Sequence, residues 1–134
     1  MKKLVLFDMD GTLTLSRQSL DQDLIGPLKT LTHFCEIGIV TGSDIEYINQ
    51  QLYYLLINSR IRYRTHLLPC NGTKHYIPPI YNHQKHNCVF EKNFKEQVGT
   101  IKFNKIMKVL VDYQNHICSH FEVPLTGHFI SYRG

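Results

Sequence analysis

Asp8 and Asp10 stand one residue apart, directly behind an apolar run and directly ahead of Gly11-Thr12-Leu13-Thr14. Two carboxylates this close repel each other unless a cation or a shared proton lies between them. Mg²⁺ answers that need, since it takes hard oxygen ligands and commonly combines one or two protein carboxylates with phosphate oxygens. A carboxylate can also attack phosphorus and form an aspartyl-phosphate. A neighbouring acid can give or take the proton at the departing oxygen. The pattern therefore points to phosphoryl transfer, with a solvated Asp-x-Asp-Gly turn as the plain alternative. A calcium loop fits poorly, because position 12 is Thr and no Glu follows at the required distance.

The elements around the pair must bring it to one place. Residues 3–7 read as a buried strand, which sets Asp8 at the carboxyl end, where α/β sheets place their ligands. In near-extended chain, residues i and i+2 face the same way, and Gly11 permits the sharp turn that follows. Glu36-Ile37-Gly38-Ile39-Val40 reads as a second buried strand, ending in Thr41-Gly42-Ser43-Asp44. The hydroxyls of Thr41 and Ser43 can donate to phosphoryl oxygens, and a helix starting near Asp44 offers its first amides. Ser43 or Asp44 would equally serve as that helix's cap.

Leu20, Leu24, Leu28 and Leu31 recur at helical spacing, with Pro27 expected to kink or split the helix. Ile45, Ile48, Leu52, Leu55 and Leu56 mark another helix. Residues 65–69 read as a strand, Cys70-Asn71-Gly72-Thr73 as a turn and Lys74–Ile77 as a short strand. Pro78 and Pro79 open a loop running to Asn87, taken as a domain boundary. Residues 93–121 read as a long helix weakened at Gly99, followed by a turn at 123–127 and a strand at 128–132. This β-α-β-α order predicts a parallel sheet with crossover helices, every apolar stripe being core.

At 134 residues the chain is one ordinary domain, or one domain and part of another. Its 43% hydrophobic and 19% charged content describes a soluble globular protein. The net charge of +4 suits an anionic substrate and is no argument for nucleic acid. The apolar run behind Lys2 and Lys3 stops at Asp8, too soon for a signal peptide, and no stretch reaches membrane-spanning length. Cys35, Cys70, Cys88 and Cys118 are scattered without a C-x-x-C pair, as expected of free thiols in a cytoplasmic protein. His83 and His86 read as solvated loop residues rather than metal ligands.

Phe7-Asp8-Met9-Asp10-Gly11-Thr12-Leu13-Thr14 resembles the first motif of the haloacid-dehalogenase-like (HAD) phosphotransferases, and Thr41-Gly42-Ser43-Asp44 resembles their second. That resemblance implies Asp8 as nucleophile and Asp10 as acid/base. It also implies Mg²⁺ held by Asp8, by the backbone carbonyl of Asp10 and by a later acid. Within that superfamily, Arg17-Gln18, the segment 37–44, Asn71-Gly72-Thr73 and Gly127-His128-Phe129-Ile130-Ser131-Tyr132-Arg133 are similar to segments of eukaryotic-type phosphomannomutases. The implied fold is α/β, with a Rossmann-like core over residues 1–80 and part of an α/β cap over 81–134. The implied activity interconverts mannose 6-phosphate and mannose 1-phosphate for GDP-mannose synthesis, through a hexose 1,6-bisphosphate that also serves as activator. Arg17, Thr41, Ser43 and Arg133 would bind the phosphorylated hexose, Arg suiting phosphate through its planar fork. A homodimer through the cap belongs to the same expectation, with neither nucleic acid nor membrane as partner. A Mg²⁺-dependent sugar phosphatase and a truncated, inactive homologue acting by binding are the alternatives.

The chain departs from the resembled pattern in places. Thr41 stands where those enzymes often have Gly, and Val123-Pro124-Leu125-Thr126 replaces a basic cluster. The resemblance covers nearly all of this chain but only the first half of such an enzyme. In those enzymes the later acid, the third-motif lysine and further arginines fall beyond the position of Gly134. A sheet short of its later strands leaves edges and apolar faces uncovered, so poor solubility or oligomerisation is expected.

Overall fold

The computed structural model describes residues 3–121. They divide into two compact units, one ending at Glu91 and the other beginning at Lys92. The expected strand at 128–132, the turn at 123–127 and Arg133 lie outside the described residues.

The first unit is a five-stranded sheet in the order β1 (Leu4–Asp8), β2 (Glu36–Val40), β3 (Thr65–Leu68), β4 (Lys74–Ile77), β5 (Asn87–Glu91). The first three strands are parallel and the last two join antiparallel. Parallel neighbours need a crossover, which α1 (Ile25–Leu31) supplies between β1 and β2, and α2 (Ile45–Gln51) with α3 (Tyr53–Asn58) between β2 and β3. β5 was not foreseen as a strand. It follows the loop expected after Pro79 and pairs along β4 with a bulge between His75 and Tyr76.

Pro27 does not break α1. The helix begins at Ile25, so Pro27 sits in its first turn, where a backbone donor has no partner to lose. A separate 3₁₀ turn, Gln22–Leu24, precedes it and is capped by Asp21. The single helix expected across 45–56 is two, interrupted at Leu52, whose φ of −103° and ψ of 22° leave the helical region. A one-turn segment, α4 (Pro69–Gly72), carries Cys70 and Asn71 in the left-handed region, at φ 53° and 56°.

The core lies on one side of the sheet. Ile37 and Ile39 of β2 and Leu67 of β3 are buried against Leu28, Ile48, Leu52 and Leu55 of the helices. The residues between them point to the other face, and there the expectation of a buried β1 fails. Leu4 and Leu6 are 53% and 55% exposed, because the helices of this unit lie against the opposite face and β1 pairs only with β2 among the described residues. Gly38 belongs to this open face, and a Cβ there would collide with Leu6 Cδ2. Beside it a polar chain crosses three strands. His66 Nε2 lies 3.0 Å from a Glu36 carboxylate oxygen, and His66 Nδ1 lies 3.0 Å from His75 Nε2. Burial, and then the neighbouring His66, push the His75 imidazole below its ordinary value.

The second unit opens with α5 (Phe94–Val98), capped by Asn93, whose side chain accepts from the Glu96 amide. Gly99, at φ 78°, ends it, and α6 (Thr100–His120) follows. The long helix expected here is therefore broken where glycine can turn left-handed. Phe94 and Phe103 meet edge to face across the break. The apolar stripe expected to be core is exposed in part, with Ile101 at 77% and Tyr113 at 64% while Val98, Met107 and Ile117 are half-buried, since within the described residues of this unit α6 packs on α5 alone. No helix among the described residues is long and apolar enough to cross a membrane.

Two outcomes follow. The bare face of β1 should bind an apolar fluorescent dye. Leu6→Lys should reduce that signal while changing stability by no more than about 0.5 kcal/mol, as expected of an exposed position; an unchanged signal would mean the face is covered. His86, expected to be solvated, is instead mostly buried and donates through Nε2 to the Thr65 carbonyl. Burial pushes its pKa down to about 4. The unfolded chain therefore takes up this proton first as pH falls from about 6.5, and folding stability falls with it. Between pH 7 and pH 5 the loss is about 1 kcal/mol after allowing for partial exposure. Denaturant melts at the two pH values should show it, and His86→Gln should flatten it.

Candidate functional site

The parallel register sets Asp8 of β1 beside Val40 of β2, so the loops leaving both strands start at one level. After Asp8 the chain turns through Met9, which is fully buried. The Met9 carbonyl accepts from the amides of Thr12, Leu13 and Thr14 at 3.3, 3.0 and 2.9 Å, and from the Thr14 hydroxyl at 3.2 Å. Gly11, at φ 80°, makes the turn possible and donates to the Thr14 carbonyl at 2.7 Å. One buried apolar residue and one crowded carbonyl thus clamp the loop, with Asp8 exposed on one side of Met9 and Asp10 half-buried on the other.

Asp10 is held by a single oxygen. Its Oδ1 accepts from the Arg17 amide at 3.2 Å and from the Tyr47 hydroxyl at 3.1 Å. Arg17 reaches that position in a left-handed conformation, φ 59°, which is uncommon for a residue with a side chain. Its backbone therefore positions Asp10 while its guanidinium remains near enough to act on the Tyr47 phenol. Burial, and then the hydrogen bond to Asp10, raise the Tyr47 phenol above its ordinary value, so it remains a protonated donor.

Tyr47 is a site residue that sequence reasoning missed. It stands off the Ile45, Ile48, Leu52 stripe, and that periodicity reports only on core residues. The available signal was its position three residues after Asp44. Asp44 caps α2 by accepting from the Tyr47 amide at 2.9 Å, and so fixes the ring at the start of the helix facing the first loop.

The second loop is stitched from beneath. Thr41 is buried, and its hydroxyl accepts from the Ser43 amide at 3.2 Å. The Asn71 amide donates to the Thr41 carbonyl and the Cys70 amide to the Ser43 carbonyl, each at 2.8 Å. The left-handed turn at Cys70 and Asn71 aims both amides at the loop, and at Gly42 a Cβ would crowd the Asn71 side chain at 3.3 Å. The structure thus brings Asp8, Asp10, Arg17, Thr41 and Ser43 to the carboxyl ends of adjacent strands. Arg133 lies outside the described residues.

Among the described residues, no three His, Cys, Asp or Glu side chains are grouped to hold a metal ion. The donors that are present suit a hard cation nonetheless. The Asp8 carboxylate is exposed, and the Asp10 carbonyl takes none of the loop's hydrogen bonds. Two protein oxygens with the remaining positions open is an arrangement Mg²⁺ accepts readily.

No family model matches the chain. It is 28% identical to a phosphomannomutase of Dendrobium officinale over 97% of its own length and 46% of the relative's. To a phosphomannomutase of Schizosaccharomyces pombe it is 31% identical over 98% of its own length and 47% of the relative's. The chain thus spans about half the length of the curated relatives it matches. In structure it resembles an IMP-bound, N-terminally truncated IMP-nucleotidase of Plasmodium falciparum, with a TM-score of 0.63 at 15% identity over 89% of this chain and 36% of that one. It also resembles a haloacid dehalogenase-like hydrolase of B. subtilis, with a TM-score of 0.62 at 16% identity over 84% and 34% of the two chains. The chain is therefore similar in sequence to the phosphomannomutases over just under half of their length and is built on the haloacid-dehalogenase-like fold.

Proposed function

We propose that this chain carries the phosphoryl-accepting site of a phosphomannomutase, interconverting mannose 6-phosphate and mannose 1-phosphate for GDP-mannose synthesis. The observation that carries the reading is the pairing at the strand ends: an exposed Asp8, and an Asp10 fixed by Arg17 and Tyr47 through one oxygen only.

The chemistry divides between the two acids. The cycle starts with Asp8 already carrying a phosphoryl group, supplied by a hexose bisphosphate. Asp10 takes the proton of the free sugar hydroxyl as that oxygen attacks phosphorus and the bond from phosphorus to the Asp8 oxygen breaks, which gives a hexose 1,6-bisphosphate. The bisphosphate reorients. An Asp8 carboxylate oxygen then attacks the other phosphorus, the phosphorus–sugar oxygen bond breaks, and Asp10 returns its proton to the departing sugar oxygen as the aspartyl-phosphate is restored. Fixing Asp10 Oδ1 leaves its second oxygen for this proton transfer, and positioning of that kind is a large part of phosphoryl-transfer catalysis. Arg17, Thr41, Ser43 and Arg133 bind the phosphorylated hexose. Mg²⁺, held by Asp8 and the Asp10 carbonyl, would neutralise charge on the transferring group. A core running through Glu91 rather than ending at residue 80, a partial cap from Lys92 onward that pairs two copies, and a cytoplasmic setting complete the proposal.

The absence of a third grouped acid among the described residues favours a second reading, an inactive homologue that only binds. Incubating the chain with mannose 1-phosphate, a hexose bisphosphate and Mg²⁺ separates the possibilities. Mannose 6-phosphate formed without stoichiometric free phosphate is the expected result, and Asp8→Asn should lower it by at least about a thousandfold. Free phosphate without isomerised sugar would indicate a phosphatase; neither product would leave the binding role. Tyr47→Phe removes one of the two donors to Asp10. It should lower kcat by about tenfold and move the pH–rate profile with little change in KM. A change confined to KM would place Tyr47 in substrate binding instead.

A further inference from the structure

Helices α2 and α3, the 3₁₀ turn Arg60–Arg64, β4 and the loop at residues 82–86 enclose a cleft of about 500 Å³. None of Asp8, Asp10, Thr41 or Ser43 lines it, so it is not the phosphoryl-transfer site. Its walls carry the rings of Tyr53 and Tyr76 together with the cationic groups of Arg62 and Lys85, and no Asp or Glu is among its lining residues in the described chain.

Arg62 gives the cleft its chemistry. One guanidinium nitrogen, Nη2, donates to the Gln84 carbonyl and pins the loop to the 3₁₀ turn. The Nε of the same side chain is shut away from water and has no acceptor among the described residues. A donor left in that state is unfavourable, and more so on a side chain that cannot lose its charge. Nε is closed to any cleft occupant as it is to water, so an oxyanion entering the cleft would meet the outer part of the guanidinium, and hydrogen bonds between guanidinium and oxyanion are among the stronger ones. His86 also lines the cleft, but its depressed pKa keeps it neutral near pH 7, so the positive charge there is that of Arg62 and Lys85. Positive charge continues beyond the cleft: a second hollow of about 560 Å³ shares Arg62 and is also lined by Arg60. Tyr53, 48% exposed, leaves bare ring surface at the cleft, and aromatic faces take flat partners.

We propose that this cleft binds a planar ring carrying an oxyanion, either an aromatic phosphate or an aromatic carboxylate. The ring lies against Tyr53 and Tyr76, and the oxyanion meets the Arg62 guanidinium and the Lys85 ammonium. The site goes beyond the phosphoryl-transfer reading and stands or falls separately from it.

Titration of the full chain with phenylphosphonate, which cannot be hydrolysed to phosphate and phenol, tests the site in Mg²⁺-free buffer by amide NMR. Saturable shifts at residues 82–86 are expected, at lower concentration than with inorganic phosphate or methylphosphonate, which lack the ring. A parallel titration with benzoate identifies the preferred anion: binding of either ring compound supports the site, and the tighter one names its class. Arg62→Gln and Lys85→Gln should each weaken binding by roughly tenfold, while Asp8→Asn should leave it unchanged. Lys85 is exposed, so Lys85→Gln keeps the test valid should Arg62→Gln fail to fold. No saturable binding, equal binding of ring-free anions, indifference to both charge substitutions, or loss of binding in Asp8→Asn would each overturn the proposal.

Discussion

The parallel register of β1 against β2 is the constraint on which the rest of the site depends. It sets Asp8 level with Val40, so the loop bearing the two acids and the loop bearing Thr41 and Ser43 leave the sheet side by side. A slip of one residue would turn every side chain of β1 to the opposite face. Asp8 would then lie among the helices, and Met9 would lose its place in the core. The register is held by what lies beneath it: Ile37 and Ile39 are sunk in the helical face, and Met9 is fully enclosed just past the strand end. Burial of apolar residues thus decides where a pair of charged ones stands.

Much of this was legible in the residues themselves. β2 could be read because Ile37, Ile39 and Val40 form an apolar strand that stops at a Gly-Ser turn, and its observed bounds match those expected. The place of the acid pair could be read because the apolar run stops at Asp8, and β1 ends there. The burial of β1 could not be. Its run of Leu, Val, Leu and Phe has the composition of a central strand, whereas exposure depends on what covers the strand, which local sequence does not encode. The helix break at Leu52 was obscured for a related reason, since an apolar stripe continues across an interruption that displaces it only slightly, whereas Gly99 marked the weak point at which the second helix breaks. Tyr47 escaped because its role depends on a partner thirty-seven residues away in sequence.

The two faces of the sheet behave differently. Parallel strands are ordinarily covered on both sides, yet the helices of the first unit all lie with Ile37 and Ile39, and the opposite face presents Leu4, Leu6 and the polar chain of Glu36, His66 and His75. The covered face sustains the fold and holds the strand ends in register. The helices that cover it also contribute walls of the Arg62 cleft, so one layer of packing supports both the acid pair and a separate cationic hollow.

The central claim is that Asp8 accepts the phosphoryl group. Fluorine NMR of the chain with beryllofluoride and Mg²⁺ addresses it most directly, because beryllofluoride mimics a phosphoryl group on a carboxylate. A bound, slowly exchanging signal that disappears in Asp8→Asn but persists in Arg62→Gln is the result this account predicts. A signal unaffected by Asp8→Asn, or no bound signal in a chain shown to be folded, would contradict it.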